Sequence, residues 1–340
     1  MAAAGNALKT LFHPFEAEAV ALPKKGETVL FQGAEPGFRL PQGFEATLHP
    51  VQGFRPDFRT LLAAGYAVEP RPDGQGGYGM ALILAGRHRG QNELRIADAI
   101  ERTVPGALVL VAGSKDDGIA SLRKRLGGLV AIEGSLPKYH GLAFWFRRPA
   151  DEEAAEILRT ANPPMLVEGR FHTAPGMFSF DRVDAGSKLL ATHLPDDLSG
   201  CVADFCAGWG YLSAEVLARC SRVAALDLYE ADFEALEAAK KNLAGAVPEP
   251  RFFWHDLLSE PVGERYDTIV MNPPFHRARA AEPEIGAGMV RAAAKALKPG
   301  GRLFMVANRQ LPYEPVLAAT FSSHGEIARD GMFKVFSARR

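Results

Sequence analysis

The apolar run Tyr266-Asp267-Thr268-Ile269-Val270-Met271 leads straight into Asn272-Pro273-Pro274-Phe275-His276, and this junction constrains the fold more tightly than any other stretch. The run reads as a buried strand. Proline has no backbone N–H to give to a ladder, so the strand has to stop there. A rigid loop then stands at the carboxyl end of a strand, where open α/β sheets hold their ligands. It presents together the Asn272 amide, the fixed backbone carbonyl of Pro273 and the aromatic face of Phe275. Two acceptors and a stacking face suit a planar group that carries an NH2. The same tripeptide recurs at Asn162-Pro163-Pro164, but there it follows a helix-like stretch, Asp151 to Thr160, and precedes Met165. That copy reads as a linker.

A chain of 340 residues is long enough for two domains, and the linker sets the expected boundary, with domains at 1–160 and 165–340. In the first, Tyr78 to Ala85 reads as a strand and Asn92 to Thr103 as an amphipathic helix. Ala107 to Val111 (strand), Lys115 to Leu126 (helix) and Leu142 to Phe146 (strand) follow. Residues 1–60 are crowded with Gly, Pro and Phe, and only Glu27 to Phe31 can be assigned there, as a strand. In the second domain strands are expected at Val202–Phe205, Val223–Asp227, Arg251–Trp254, Thr268–Met271 and Leu303–Ala307. Helices fall between them, among them Ala231 to Leu243. The chain closes with a hairpin, Glu326–Arg329 and Met332–Ser337, turning at Asp330-Gly331. Such alternation predicts parallel α/β sheets in both domains. Element order and spacing also match between the halves, with Gly86-Arg87-His88-Arg89 where the second has Asn272-Pro273-Pro274-Phe275. This predicts an internal duplication whose first copy has lost its site.

Net charge is -1, which gives no global attraction to nucleic acid and leaves only local clusters such as Arg123-Lys124-Arg125. No apolar run approaches the roughly 20 residues of a membrane span, and the amino terminus lacks the pattern of a secretory signal. Cys201, Cys206 and Cys220 have neither metal-ligand spacing nor an even count. A cytoplasmic protein without a metal site is expected.

A second constellation precedes the proline loop. Asp204-Phe205-Cys206-Ala207-Gly208-Trp209-Gly210 follows a strand and opens a helix, Tyr211 to Arg219. Its glycines let a ligand approach the backbone, and the helix start offers free N–H groups. Asp227, read as the end of the next strand, can accept hydrogen bonds from ribose hydroxyls. Asp256, just after the third strand, is placed to meet an adenine amine. Each acid taken singly also suits a turn or a helix cap.

The series Asp204-x-x-x-Gly208-x-Gly210, Asp227, Asp256 and Asn272-Pro273-Pro274-Phe275 resembles the motifs of Rossmann-like S-adenosylmethionine-dependent methyltransferases. More narrowly, Pro175-Gly176-Met177-Phe178-Ser179, Asp184-x-Gly186-Ser187, Asn308 with Leu311-Pro312-Tyr313, and Phe333-Lys334-Val335 resemble bacterial ribosomal RNA guanine-N2 methyltransferases, the small-subunit group above all. The resemblance covers residues 165–340. It implies two tandem Rossmann-like domains, the first degenerate and serving RNA positioning or structure. The second would carry a mostly parallel seven-stranded sheet ending in the hairpin. It implies S-adenosylmethionine as cofactor, held by Asp204, Gly208, Gly210, Asp227 and Asp256. Asn272, Pro273 and Phe275 would act on a guanine N2 amine in ribosomal RNA or in the assembled small subunit. One departure stands out: the family usually has Gly where this chain has Cys206, and Cys where it has Ala207. Methylation of adenine N6 or of a protein glutamine would use the same loop. Outside enzymes the alternative is an RNA-binding assembly factor without turnover, which Cys206 favours.

Overall fold

Continuous apolar strands, rather than alternating ones, are what a sheet needs when both of its faces are covered, and each half of this chain builds one such sheet. The computed structural model describes residues 2–72, 74, 76–274, 276–277, 280–281 and 283–340. They form two compact units, Met1–Pro163 and Pro164–Arg340.

The first unit runs α1 (Ala2–Glu16), β1 (Thr28–Gln32), β2 (Thr47–Val51), α2 (Arg55–Ala63), β3 (Tyr78–Ala85), α3 (Arg89–Arg102), β4 (Thr103–Ser114), α4 (Ile119–Leu126), β5 (Ile132–Lys138), β6 (Gly141–Arg147) and α5 (Glu153–Thr160). Its sheet has the order β2-β1-β3-β4-β6-β5. The first four strands are parallel, and β6 and β5 are antiparallel additions. Ala81, Ile83 and Ala85 face one core; Met80, Leu82 and Leu84 face the other. Four elements, α1, β2, α2 and β5, lie outside the sequence expectation. Helix α1 buries Leu8, Leu11, Phe12 and Phe15, although Pro14 sits in its last turn. Strand β2 contains Pro50, which an edge strand tolerates because no further strand needs its N–H.

The second unit opens with a small hairpin, β7 (Met165–Val167) and β8 (Phe171–Thr173). Then come α6 (Ala185–His193), β9 (Ser199–Phe205), α7 (Tyr211–Arg219), β10 (Arg222–Glu230), α8 (Phe233–Asn242), β11 (Arg251–Trp254) and β12 (Tyr266–Met271). The rest is β13 (His276–Arg277), β14 (Ala280–Ala281), α9 (Pro283–Ala296), β15 (Leu297–Asn308), α10 (Glu314–Thr320), β16 (Ser323–Arg329) and β17 (Phe333–Arg339). The large sheet has seven strands in the order β11-β10-β9-β12-β15-β17-β16. Five are parallel, and the closing hairpin β16–β17 adds antiparallel to β15. Val270, Phe304 and Val306 point into one core, and Ile269, Met271, Leu303 and Met305 into the other. The strand order of the first sheet is that of the second with its outermost strand, β11, left out.

Strand β10 corrects one expectation. It does not end at Asp227 but continues through Leu228 and Tyr229 to Glu230. Asp227 is 1% exposed, and a charge can stay in mid-strand because its partners are fixed around it. Arg251 of β11 grips both oxygens, Nε to Oδ1 at 2.7 Å and Nη2 to Oδ2 at 2.6 Å. The Tyr266 hydroxyl donates to Oδ2 at 2.6 Å, and burial together with that bond pushes the phenol up. Asp227→Ala is therefore expected to cost about 2–3 kcal/mol of stability, the usual range for bonds to a charged group. Urea denaturation followed by tryptophan fluorescence would measure it.

Candidate active site

Strands β9, β10 and β12 are neighbours and parallel, so their carboxyl ends lie on one edge of the sheet. The loop after β9 is laced to that edge by its backbone. Ala207 N–H donates to the Tyr229 carbonyl at 3.1 Å, and Gly210 N–H to the Ala207 carbonyl at 2.9 Å. Gly208 N–H donates to Glu230 Oε2 at 2.7 Å. Gly208 has φ +54° and a Cβ there would meet nothing within 4 Å, so the loop turns an open backbone surface outward. Gly210, at φ +88°, starts α7, and a Cβ on it would stand 3.3 Å from both Ala239 and Leu243 of α8. The Trp209 indole is buried, and its Nε1 donates to the Phe178 carbonyl at 3.0 Å.

Cys206 adopts φ 61° without being glycine. A side chain in the left-handed region costs roughly 1–2 kcal/mol. The position is thus one that glycine would occupy without strain. Burial, with Glu230 and Asp204 adding to it, holds the thiol well above its usual range.

Two carboxyl groups stand under this loop. Asp204, fully buried in β9, accepts from the Ser213 N–H at 3.0 Å and hydroxyl at 2.7 Å, both on Oδ2. Its Oδ1 is buried with no partner among the described residues. Burial pushes this carboxyl up to about 7 against the pull of Ser213, and the Glu230 charge adds to the push. Glu230, at the end of β10, accepts on Oε1 from the N–H groups of Ala231 and Asp232, both at 2.8 Å. Burial pushes it up to about 7 as well, opposed by these bonds.

Asn272 follows β12 directly. Its Nδ2 donates to Asp184 Oδ2 at 3.0 Å and to Ser187 Oγ at 2.8 Å. Pro273 is buried behind it. A small pocket of about 40 Å³, open to solvent, spans from the glycine loop to the amide; Phe178, Ser179, Asp184, Cys206, Gly208 and Asn272 are among its walls.

The structure thus brings Asp204, Gly208, Gly210, Asn272 and Pro273 to one edge. Asp227 stands apart, its carboxylate committed to Arg251 and Tyr266. The acid at the strand end is Glu230, and one signal pointed to it: Asp232 caps α8 by accepting from Ala235 N–H at 2.9 Å. A strand read up to that cap ends at Glu230. Asp256 keeps its oxygens in its own turn, with Leu258 N–H at 3.0 Å on Oδ1 and the Ser259 hydroxyl on Oδ2. Phe275 lies outside the described residues.

These groups fit S-adenosylmethionine. An acid at a strand end suits ribose hydroxyls. An open Gly208 backbone leaves room for close approach, and the buried Asp204, with its unpartnered oxygen, beside the half-buried Glu230 suits a ligand bearing sulfonium and ammonium charges. Among the described residues, no group of three or more His, Cys, Asp or Glu could hold a metal ion.

The methyltransferase small domain matches residues 168–337. A ribosomal RNA small subunit methyltransferase C from Photorhabdus laumondii is 30% identical over 235 residues, 69% of this chain and 69% of its own. Its counterpart in Salmonella choleraesuis is 40% identical over 164 residues, 48% of this chain and about half, 47%, of its own. Among solved structures, a T. thermophilus 16S rRNA N2 methyltransferase in complex with AdoMet and guanosine superposes with a TM-score of 0.79 at 23% identity. That match covers 98% of this chain and 91% of the other, and shows the shared fold.

Asp204 and Glu230 make a pH dependence. Their folded values, about 7, lie above the roughly 4 of an unfolded carboxylate. Their contribution to stability is thus fully present below about pH 4 and lost as pH rises through about 7. Cofactor-free protein should show this fall in thermal midpoint, flattened in Glu230→Gln. Cofactor charge favours the ionised acids, so the thermal shift given by S-adenosylmethionine should grow from about pH 6 to about pH 8. A scanning fluorimetry series checks both.

Proposed function

Because the chain belongs to the family of ribosomal RNA small subunit methyltransferase C, carrying the methyltransferase small domain over residues 168–337, we propose that it methylates the exocyclic N2 amine of a guanine in small-subunit ribosomal RNA, with S-adenosylmethionine as donor. The observation that carries this reading is the anchored Asn272 amide beside the open glycine loop, in one pocket.

When bound, S-adenosylmethionine supplies an electrophilic methyl group on a sulfonium. The chain's own residues do the rest by holding and orienting. Gly208, Gly210 and Asp204 receive the methionine end, and Glu230 takes the ribose hydroxyls in the part first expected of Asp227. Asp256 stands toward the adenine. A guanine N2 lone pair is delocalised into the ring and is a poor nucleophile. The Asn272 oxygen and the Pro273 carbonyl accept its two hydrogens and turn the lone pair outward. Phe275, from its place in the sequence, offers the face on which the extruded base stacks, worth about 1–3 kcal/mol. The donor would supply the methyl group, its sulfur being the leaving group, and the amine nitrogen would then give a proton to solvent. Orientation and fixed acceptors account for the rate, with no general base required.

The first unit, residues 1–160 as read from sequence, is assigned to positioning the RNA, either naked or in the assembled subunit. Support comes from the end of α4, where Arg123 and Lys124 are exposed, while Arg125 lies 3.8 Å from Glu93. Contacts of this kind fix register on the phosphates without reading sequence. A cytoplasmic location follows from the ribosomal substrate. Among the described residues no helix is long and apolar enough to cross a membrane.

Digestion of RNA after reaction with methyl-labelled cofactor should place the label in N2-methylguanine. Label in N6-methyladenine, or in protein alone, overturns the assignment, and label nowhere favours the assembly-factor reading. Asn272→Ala is expected to lower kcat by roughly 10²–10³, as for loss of one oriented group, with cofactor affinity kept. Glu230→Ala should instead weaken cofactor binding by about tenfold, since charge-assisted bonds are lost. Isothermal calorimetry reads that change, and Asp227→Ala should not reproduce it. Charge reversal at Arg123 and Lys124 should raise KM for RNA and leave cofactor affinity unchanged, which steady-state kinetics would show.

A further inference from the structure

We propose that Asp184 and Ser187 are positioning residues that decide which end of the Asn272 amide meets the substrate amine. The inference rests on the reading of Asn272 given above and deepens it.

The two ends of an asparagine amide are nearly equal in shape and opposite in chemistry: the NH2 only donates and the oxygen only accepts. A substrate amine also brings hydrogens. An unanchored Asn272 would therefore spend part of its time presenting hydrogens to hydrogens, a repulsive and unreactive pose. In this site both hydrogens of Nδ2 are committed, one to Asp184 Oδ2 at 3.0 Å and one to Ser187 Oγ at 2.8 Å. An ionised carboxylate cannot donate, so the reversed amide would set oxygen against oxygen. The orientation is fixed by chemistry, and Oδ1 becomes the end turned away from the pair.

The anchor is itself rigid. Asp184 caps α6, its Oδ2 also accepting from Ser187 N–H at 2.8 Å, and Ser187 is only 8% exposed. Between them Gly186 leaves space that a Cβ would crowd, 3.0 Å from the Phe333 ring and 3.1 Å from Asp184 Oδ2. One carboxylate oxygen therefore ties a helix start to a side chain 88 residues away. A clamp on a helix end holds an acceptor more tightly than a loop residue holds itself.

A merely structural Asp184 would serve as a helix cap, and the test separates the two roles. Asp184→Ser keeps a good cap but falls short of Asn272. The expected result is a drop in kcat of about 10- to 100-fold, the scale of a small misplacement of a reacting group. KM for RNA, cofactor affinity and thermal midpoint should stay near wild type. Ser187→Ala should give a smaller drop, and Asp184→Asn, which restores one acceptor at the same reach, should recover part of the rate. In an Asn272→Ala background Asp184→Ser should cost nothing further. The side-chain 15NH2 signal of Asn272 gives a readout independent of turnover, exchanging slowly with solvent in wild type and faster in Asp184→Ser. An unchanged kcat in Asp184→Ser, or an equal loss in both backgrounds, overturns the inference while leaving the assigned reaction standing. Should wild type label another amine, the reaction assignment fails, and the same cycle, read on that product, still decides the clamp.

Discussion

Burial on both faces of the second sheet governs where anything else can happen in this protein. Ile269 and Met271 are sealed in one core and Val270 in the other, so Asn272 is the first residue after β12 free to face a ligand. The same holds at the ends of β9 and β10. With side chains along the strands spent on packing, chemistry is confined to the residues where strands stop. The prolines make the stop at β12 abrupt. They set an amide and a carbonyl on a support that cannot slide along the ladder.

Electrostatics divides that edge into two kinds of acid. Asp227 is satisfied inside the sheet, bridged by Arg251 and Tyr266. Among the described residues Asp204 and Glu230 have no ion-pair partner, and desolvation pushes both up to about 7. An acid with an internal partner stabilises the fold and is of little use to a ligand. Acids left without one are poised to take charge from whatever binds. Their unfavourable burial is thus the counterpart of cofactor recognition, in line with perturbed carboxyls clustering at functional sites.

Much of this was legible in the sequence. The run Tyr266 to Met271, the helix Tyr211 to Arg219 and the strand Arg251 to Trp254 have the bounds that periodicity and the prolines implied, and the closing hairpin turns at Asp330-Gly331. Local rules failed where tertiary context overrode them. Pro14 and Pro50 hid α1 and β2, because a last helical turn and a sheet edge both forgive proline. Asp227 hid the end of β10, since its charge reads as a strand terminus until Arg251 and Tyr266 are seen around it. The motif Asp184-x-Gly186-Ser187 stands out in the sequence, but nothing there pairs it with Asn272. That pairing joins segments whose proximity exists only once α6 has docked on β15 and β17, the former beside β12 in the sheet.

The first sheet repeats the strand order of the second except for β11, and that omission has a meaning for engineering. In the second unit β11 widens the floor beside β10 and ends near Asp256, so a long, flat ligand has a strand under each of its parts. In the first unit the place of β11 holds only a single parallel bridge, Val51 to Glu69, outside β2 and its Pro50. Writing Asn-Pro-Pro into the turn at Gly86-Arg87-His88 would supply an acceptor with nothing beside it on which a nucleoside could lie. Transplanting a loop would not supply that floor, which outside β2 narrows from a four-residue strand to one bridge.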